Sequence, residues 1–505
     1  MTTKEKIAAL LAWLKHAGAE VGNIEIRELG PEFRAVFMRT RLAPDKSILV
    51  VPESCLMTTT MARQAPMCKL LLSRGFVPGH GQTLLALFLV DEYHRKGPAL
   101  SWWWPYLALL PSAYNNVPLF YSDPHDLSLV DPASFVTDMV MHQRLALLQE
   151  YQGVVAAIPE FNLTWAEFQW ARTVVVSRVF ALQDGAEGLV PVADMLNHRS
   201  NNTHGARWGF DASSSAFVVR SIRHLLKGVE LTDSYGEKCN SRYLANYGFV
   251  LENNRASNQA ALFVPCAVGG IIISPRLRQL IGKAAAYDDN YSYYQKAVHE
   301  GWETKVASGE WFRFQIQNPA EVVAKTLQDE QQQAADAKNA AATSTEWRRK
   351  SVGACTLACL RLLRVLVANE TEADLLVAAS GGAAGCGVGD PHPLTVAGVL
   401  PAVSGRNEVA ALDLLSNLVT KRLGEFRAKL EDDEQQLKEA KPFTNTFNIL
   451  TVLVGEKRVL AATNEFCAAV GAAWRESHQD TAKTRRLLKA NPLTKDYAHV
   501  HWAHL

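Results

Sequence analysis

The feature that most constrains this chain is a hydrophobic period that changes and then changes back. Between residues 24 and 52 the segments IEIRE, RAVFMRT and SILVVP alternate apolar with polar or run β-branched, as strands do. From about 82 to 183 the apolar residues recur at three and four instead, through QTLLALFLVDEYHRKG, FVTDMVMHQRLALLQEYQGVVAAI and TWAEFQWARTVVVSRVFAL. Strand texture then returns in ARWGFD, AFVVRSI and VELTDSYG. The β unit is therefore interrupted by a helical insert. SWWWPYLALLPSAYNNVPLF, rich in proline and aromatics, reads as packed irregular chain inside it.

Local signals sharpen some boundaries. Thr2 with Glu5 forms a capping-box pattern, Ile7, Leu10, Leu11 and Leu14 share one face, and Gly18 ends the run. Thr164 with Glu167 repeats the box, and Pro44-Asp45 marks a turn between strands. Beyond about 270 the chain reads as mainly helical, in LRQLIGKAAAYD, TLACLRLLRVLVA and the long stretch EVAALDLLSNLVTKRLGEFRAKLEDDEQQLKEA. In that stretch Val409, Leu412, Leu415, Val419, Leu423, Phe426 and Leu430 make one continuous stripe. Segments about 328–350 and 380–405 are low in complexity or glycine-rich and read as flexible; SGGAAGCGVGDPHP lacks the Gly-Lys-Ser/Thr of a phosphate loop. Two domains are predicted, 1–258 and 259–505, giving an α+β fold followed by an all-α one.

Bulk numbers exclude some partners. The 52 basic and 51 acidic residues leave a net charge of +1, so no global field draws nucleic acid or an anionic membrane. A protein or small-molecule partner is the better expectation. The eight cysteines carry no CxxC pair and read as free thiols in a reducing compartment; Cys355 and Cys359 share a helix face that suits core filling. The apolar part of MTTKEKIAALLAWLKHAG is too short and too charged to span a bilayer or act as a leader, so a cytoplasmic or nuclear protein is expected.

The segment DMLNHRSNNTH, residues 194–204, collects the polar chemistry. Asp194, His198 and His204 could chelate a metal, but no ligand-spaced pattern such as HExxH is present. A plain polar turn also fits, and no GxSxG offers a nucleophile. Local spacing leaves the choice open.

Read with the later stretch GVELTDSYGEKCNSRYLANYGFVLENN, the segment resembles SET-domain protein methyltransferases. Asn197-His198, Glu230-Leu231, Tyr235-Gly236, Asn240 and Tyr247-Gly248-Phe249 occur in that family's order. More narrowly, the chain resembles the branch typified by the Rubisco large-subunit lysine methyltransferase and the actin-histidine methyltransferase. LLAWLKHAGAE, SILVVPESCLMTT, LALFLVDEYHRKGPALSWWWPYLALLP and LTWAEFQWARTVVVSRVF are similar to its opening helix, first β unit and helical insert. TLACLRLLRVL, NEVAALDLLSNLV, KLEDDEQQL and VGEKRVL are similar to its helical substrate-binding domain.

The resemblance implies an S-adenosylmethionine donor and a protein substrate; no metal site is expected, and a monomer is favoured with the oligomeric state left open. It implies Asn197 and His198 lining the donor pocket through main-chain and amide bonds to the adenine, Arg178 facing the methionine carboxylate, and Asp194 nearby. Tyr235 would stand beside the transferring methyl, with Tyr247 and Phe249 of the Tyr-Gly-Phe segment and Phe180 along the substrate channel. The position two after the carboxylate arginine is aromatic in the branch's lysine-type members and an amide in the histidine type; Phe180 and Tyr247 thus point to protein-lysine methyltransfer. Histidine methyltransfer is the alternative.

One departure keeps a further alternative open. The family's N-terminal cofactor loop carries Gly-x-Gly, where counting back from LVVP gives Phe33-Arg34-Ala35, with Gly30-Pro31 just upstream. Either the loop is rebuilt, with Gly30 and Arg34 at the cofactor, or the pocket is narrowed. An inactive SET-fold scaffold that binds protein is the reading the second case would support.

Overall fold

The computed structural model describes residues 1–265, 311–319, 359–379 and 403–497, apart from 31–32, 80, 201–202, 256, 361–362, 479 and 496. It divides into two compact units. The first holds Met1–Ser122, Met139–Lys238 and Arg242–Gly248; the second holds Asp123–Asp138, Cys239–Ser241 and Phe249–Leu505.

In the first unit the opening helix runs Thr3–His16, and both halves of its capping box are made: Thr2 accepts from the Glu5 N–H, and Glu5 accepts from the Thr2 N–H. Leu10, Trp13 and Leu14 are its buried face. Strands β1 (Glu20–Val21), β2 (Ile24–Gly30), β3 (Phe33–Met38), β4 (Ser47–Pro52) and β5 (Met57–Thr58) follow. Asp45, in the left-handed region at φ 58, turns the chain into β4. The insert comes next, from the helix Gly81–Val90 to the helices Phe135–Ala157 and Trp165–Arg178, the last with its Thr164/Glu167 box formed. It is followed by β6 (Val179–Ala181), β7 (Glu187–Leu189), β8 (Asn197–His198), β9 (Ala206–Asp211), β10 (Ala216–Ser221) and β11 (Glu230–Asp233).

Three sheets of the first unit join strands from both sides of the insert. Their orders are β1-β4-β10-β9, β2-β3-β11-β8 and β5-β7-β6. Alternation explains the pairing: Ile48, Leu49 and Val51 of β4 and Phe217 and Val219 of β10 are all nearly inaccessible and enter one apolar core with Leu10, Leu14 and Leu85. Among the described strands only β11 and β8 run parallel, with Thr232 opposite Asn197 and Asp233 opposite His198.

The second unit contains β12 (Ala260–Pro265) paired antiparallel with β13 (Trp311–Ile316), and the helices Glu370–Ala379, Gly405–Glu425, Leu430–Glu439, Asn445–Glu476 and Thr481–Ala490. Asn445–Glu476, 32 residues long, is its spine. Among the described residues no helix is long and apolar enough to cross a membrane.

Four expectations need correction or restriction. The division near 258 is displaced: the units part at Gly248, and 123–138 clusters with the C-terminal unit. The reason is that the Arg427 N–H donates to Asp131 at 2.9 Å, while Glu456 accepts from the Phe135 N–H at 3.0 Å. The stripe from Val409 to Leu430 is not one helix. It breaks after Glu425, where Phe426 is extended (φ −70, ψ 143) and the next N–H is taken by Asp131. The helix beginning at Trp165 stops at Arg178, and Val179-Phe180-Ala181 joins a sheet. The helix expected over LRQLIGKAAAYD and the segment about 328–350 lie outside the described residues, as does 380–405 up to residue 402.

Candidate active site

The site is built in the first unit, around the turn Ala193–Met195 that leads into β8. Val192 enters this turn at φ 70, a conformation that a β-branched side chain rarely adopts. Strain of this kind persists only where surrounding contacts hold it. Here the turn aims Asp194 inward.

Arg178 closes its helix, where a cation suits the carbonyl ends. Its Nη1 donates to the Asp194 main-chain oxygen at 3.0 Å and to Oδ2 at 3.2 Å. Tyr106 donates its hydroxyl to the same Oδ2 at 2.9 Å. The Asp194 side chain is fully inaccessible and that of Arg178 is 18% exposed. Burial holds the Asp194 carboxyl above its ordinary range, against the pull of Arg178 and Tyr106. Burial works against the Arg178 charge too, but Tyr114 and Asp194 outweigh it and raise its pKa. Two atoms of this group are buried with no hydrogen-bond partner among the described residues: Arg178 Nε and Asp194 Oδ1. A second cation stands close by. Arg34 Nη1 donates to the Leu109 carbonyl at 2.5 Å, one turn from Tyr106, and its charge also favours ionised Asp194.

A neutral cluster adjoins this charged one. Tyr235, just past β11, donates its hydroxyl to the Leu196 carbonyl at 2.8 Å and its N–H to His198 Nδ1 at 3.0 Å. Its ring lies 5.0 Å from that of Tyr247. Burial pushes the Tyr235 hydroxyl well above its usual pKa and that of Tyr247 up to about 12, so both remain phenols. His198 is pushed down to about 4, first by burial and then by the Lys238 and His204 charges, and stays neutral. The Lys238 ammonium donates to the Tyr235 carbonyl. Gly248, after Tyr247, has φ +78, and a Cβ there would sit 2.3 Å from the Asn116 amide nitrogen; that approach lets Asn116 donate to the Gly248 carbonyl at 3.0 Å. Only glycine fits.

The sequence candidates are distributed unevenly. Arg178, Asp194, His198, Tyr235 and Tyr247 are brought together, and Arg34 joins them. Asn197 holds strands: its amide nitrogen donates to the Arg34 carbonyl at 3.2 Å and to Glu230 Oε1 at 2.8 Å, which takes both amide hydrogens away from any purine. Phe180 packs edge-on against Trp208 and Phe217, with ring centroids at 5.0 and 5.1 Å, as part of the core. Phe249 belongs to the second unit. The supposed cofactor loop, Phe33-Arg34-Ala35, falls on β3, which pairs antiparallel with β2; Gly30 lies opposite Phe33 and Ala35 is fully buried. A Cβ on Gly30 would meet nothing within 4 Å among the described residues, so no contact with them demands glycine. Tyr106 and Tyr243 were not singled out by the sequence. Tyr243 lies one helical turn before Tyr247, and that i, i+4 spacing was the available signal.

Known proteins complete the description. The family described as Rubisco LSMT substrate-binding matches residues 325–460. Actin-histidine N-methyltransferase of Xenopus tropicalis is 24% identical over 259 residues, covering 48% of this chain and 43% of that protein. The Homo sapiens protein of the same name is 24% identical over 260 residues, covering 48% and 42%. The match therefore spans less than half the length of these relatives. Among solved structures, the SET domain of LSMT bound to lysine and AdoHcy superposes with a TM-score of 0.64 at 16% identity, over 96% of both chains. Rubisco LSMT bound to AdoMet gives 0.62 at 16% identity, over 93% of both. The α+β SET fold with a helical C-terminal region is the fold of this chain, and the branch it resembles is the one that contains these proteins.

Proposed function

We propose that this SET-fold chain is an S-adenosylmethionine-dependent protein N-methyltransferase whose acceptor is a lysine side chain. One observation carries the reading. A single segment, Val192 to His198, supplies Asp194 to the charged cluster and the Leu196 carbonyl and His198 to the tyrosine cluster, which supports reading the two as one site. The bound donor would contribute an electrophilic methyl on a sulfonium and an amino-acid end. Arg178 Nε and Asp194 Oδ1, buried and without partners among the described residues, suit the carboxylate and ammonium of that end. The main chain at Asn197-His198 would take the purine.

The neutral cluster fits the acceptor. Tyr235 gives its proton to Leu196, so its oxygen lone pairs can accept an amine N–H and turn the amine lone pair toward the methyl. A lysine amine, with an ordinary pKa of ~10.4, must first lose its proton. Buried phenols and the nearby Lys238 ammonium both favour that loss, by desolvation and by like charge. Match of residues 325–460 to a substrate-binding family supports a protein as the substrate. The names of the curated relatives favour a second reading, methyl transfer to histidine, whose imidazole needs no deprotonation near neutral pH.

Calorimetry with S-adenosylmethionine is the first test. Binding is expected; no heat at high micromolar donor would leave the scaffold reading, which rests on the replaced Gly-x-Gly. Labelled-methyl transfer into a cell lysate, followed by mapping of the product, separates the acceptors: methyllysine is expected, and methylhistidine alone would select the second reading.

A further inference from the structure

His198 does something in this structure that lining a donor pocket does not require. A backbone N–H can only donate, so Tyr235 N–H on Nδ1 at 3.0 Å makes Nδ1 the lone-pair nitrogen. The ring proton is then on Nε2, which lies 3.0 Å from the Tyr243 hydroxyl. That hydroxyl accepts it and donates its own proton to the Gly236 carbonyl at 2.7 Å. Three directed bonds thus bracket Tyr235-Gly236, from the first N–H to the last C=O. Gly236 sits at φ +85, where the chain leaves β11 and turns. Ring contacts complete a circuit: His198 lies 5.3 Å from Tyr235 and 4.9 Å from Tyr243, and Tyr243 lies 6.4 Å from Tyr247.

We infer that His198 and Tyr243 form a positioning pair that fixes the Tyr235 turn, and that the His198 imidazole acts through Tyr235 and not on the donor or on a proton in transit. The inference rests on the functional reading above. An imidazolium would put a second N–H against the Tyr235 N–H and break the bracket. Groups facing the ring among the described residues include Tyr235, Tyr243, Lys238 and, more remotely, His204; an ammonium at Lys238 favours the neutral form the bracket needs.

The test uses the full chain in four forms: wild type, Tyr243→Phe, His198→Asn, which can keep an acceptor near Nδ1, and His198→Leu, which cannot. Tyr243→Phe and His198→Leu are expected to lower methyl transfer into lysate at saturating donor by tenfold or more. Their affinity for S-adenosylmethionine should change by less than threefold, and His198→Asn should recover part of the turnover. Amide exchange at Tyr235 should quicken in His198→Leu and be partly restored in His198→Asn. In wild type, nitrogen NMR should show the Nε2–H tautomer with no titration between pH 5 and 8. Donor affinity falling in step with turnover, unchanged turnover in Tyr243→Phe, or a His198 titration near 6.5 would overturn the inference. If His198→Leu does not fold, Tyr243→Phe decides. A wild type that binds no donor or transfers no methyl fails the functional reading alone, because tautomer and amide exchange still decide whether the bracket exists.

Discussion

Each unit buries an arginine, a carboxylate and a tyrosine together, and the two groups are finished differently. In the second unit Arg364 donates Nε to Glu408 Oε2 at 2.6 Å and Nη2 to Oε1 at 2.8 Å, a bidentate fork with both side chains fully inaccessible. Tyr497 donates to Oε1 as well, so both carboxylate oxygens are held. In the first unit Arg178 meets Asp194 through Nη1, at the main-chain oxygen and at Oδ2, and Tyr106 meets the same Oδ2. The fork edge at Nε and the second oxygen at Oδ1 find nothing among the described residues. Burying charges is costly unless their bonds are complete, so the closed triad serves the fold while the open one is suited to a ligand.

The largest expected effect tests the closed triad. Arg364→Leu strands a buried carboxylate and should cost about 3–5 kcal/mol, a large share of a typical domain's stability, measured by denaturant unfolding. A loss below about 1 kcal/mol would erase the contrast. Next, Arg178→Leu should weaken S-adenosylmethionine binding about 100-fold, or roughly 2.7 kcal/mol, in calorimetry, with a smaller loss of stability. Asp194, already held above the usual carboxylate range, can take up a proton there. The reverse pattern would make both triads structural.

Glu456 sharpens the comparison as a buried carboxylate held by neutral donors, the Phe135 N–H and the Ser241 hydroxyl. Burial raises its pKa to about 7 from an ordinary 4.5, so the stability it contributes is full below 4.5 and is lost as pH rises through 7. Glu456→Gln should flatten the fall in stability between pH 5 and 7, by up to about 1.4 kcal/mol per pH unit. An unchanged slope would place the titration elsewhere. The smallest effect separates the tyrosines. Tyr497→Phe removes a donor to Glu408 and an acceptor for Arg364, and should cost about 2 kcal/mol, against about 1 for Tyr106→Phe, in thermal unfolding.

What the sequence made legible was local. The boxes at Thr2/Glu5 and Thr164/Glu167 lie within one turn each, and both form. The β unit on both sides of a helical insert was readable because period is a local property. The break after Glu425 was not, since the stripe continues through it and the cause, Asp131, lies roughly 296 positions away. The same limit hid Tyr106 and Tyr243, which matter through bonds to Asp194, His198 and Gly236. Asn197 is the instructive case: the expectation that its amide meets a purine could not foresee that its amide hydrogens serve Arg34 and Glu230.

Pairing of β4 with β10 sets Val51 opposite Phe217, roughly 166 positions apart. During synthesis at about 5–20 residues per second, β4 leaves the ribosome roughly 8–30 seconds before its partner exists. For that interval SILVVP is an unpaired apolar edge, the kind of surface that chaperones shield and that aggregates when they are scarce. The helical insert thus imposes a waiting time on the newborn chain, and slowed translation between β5 and β6 should lower the soluble yield.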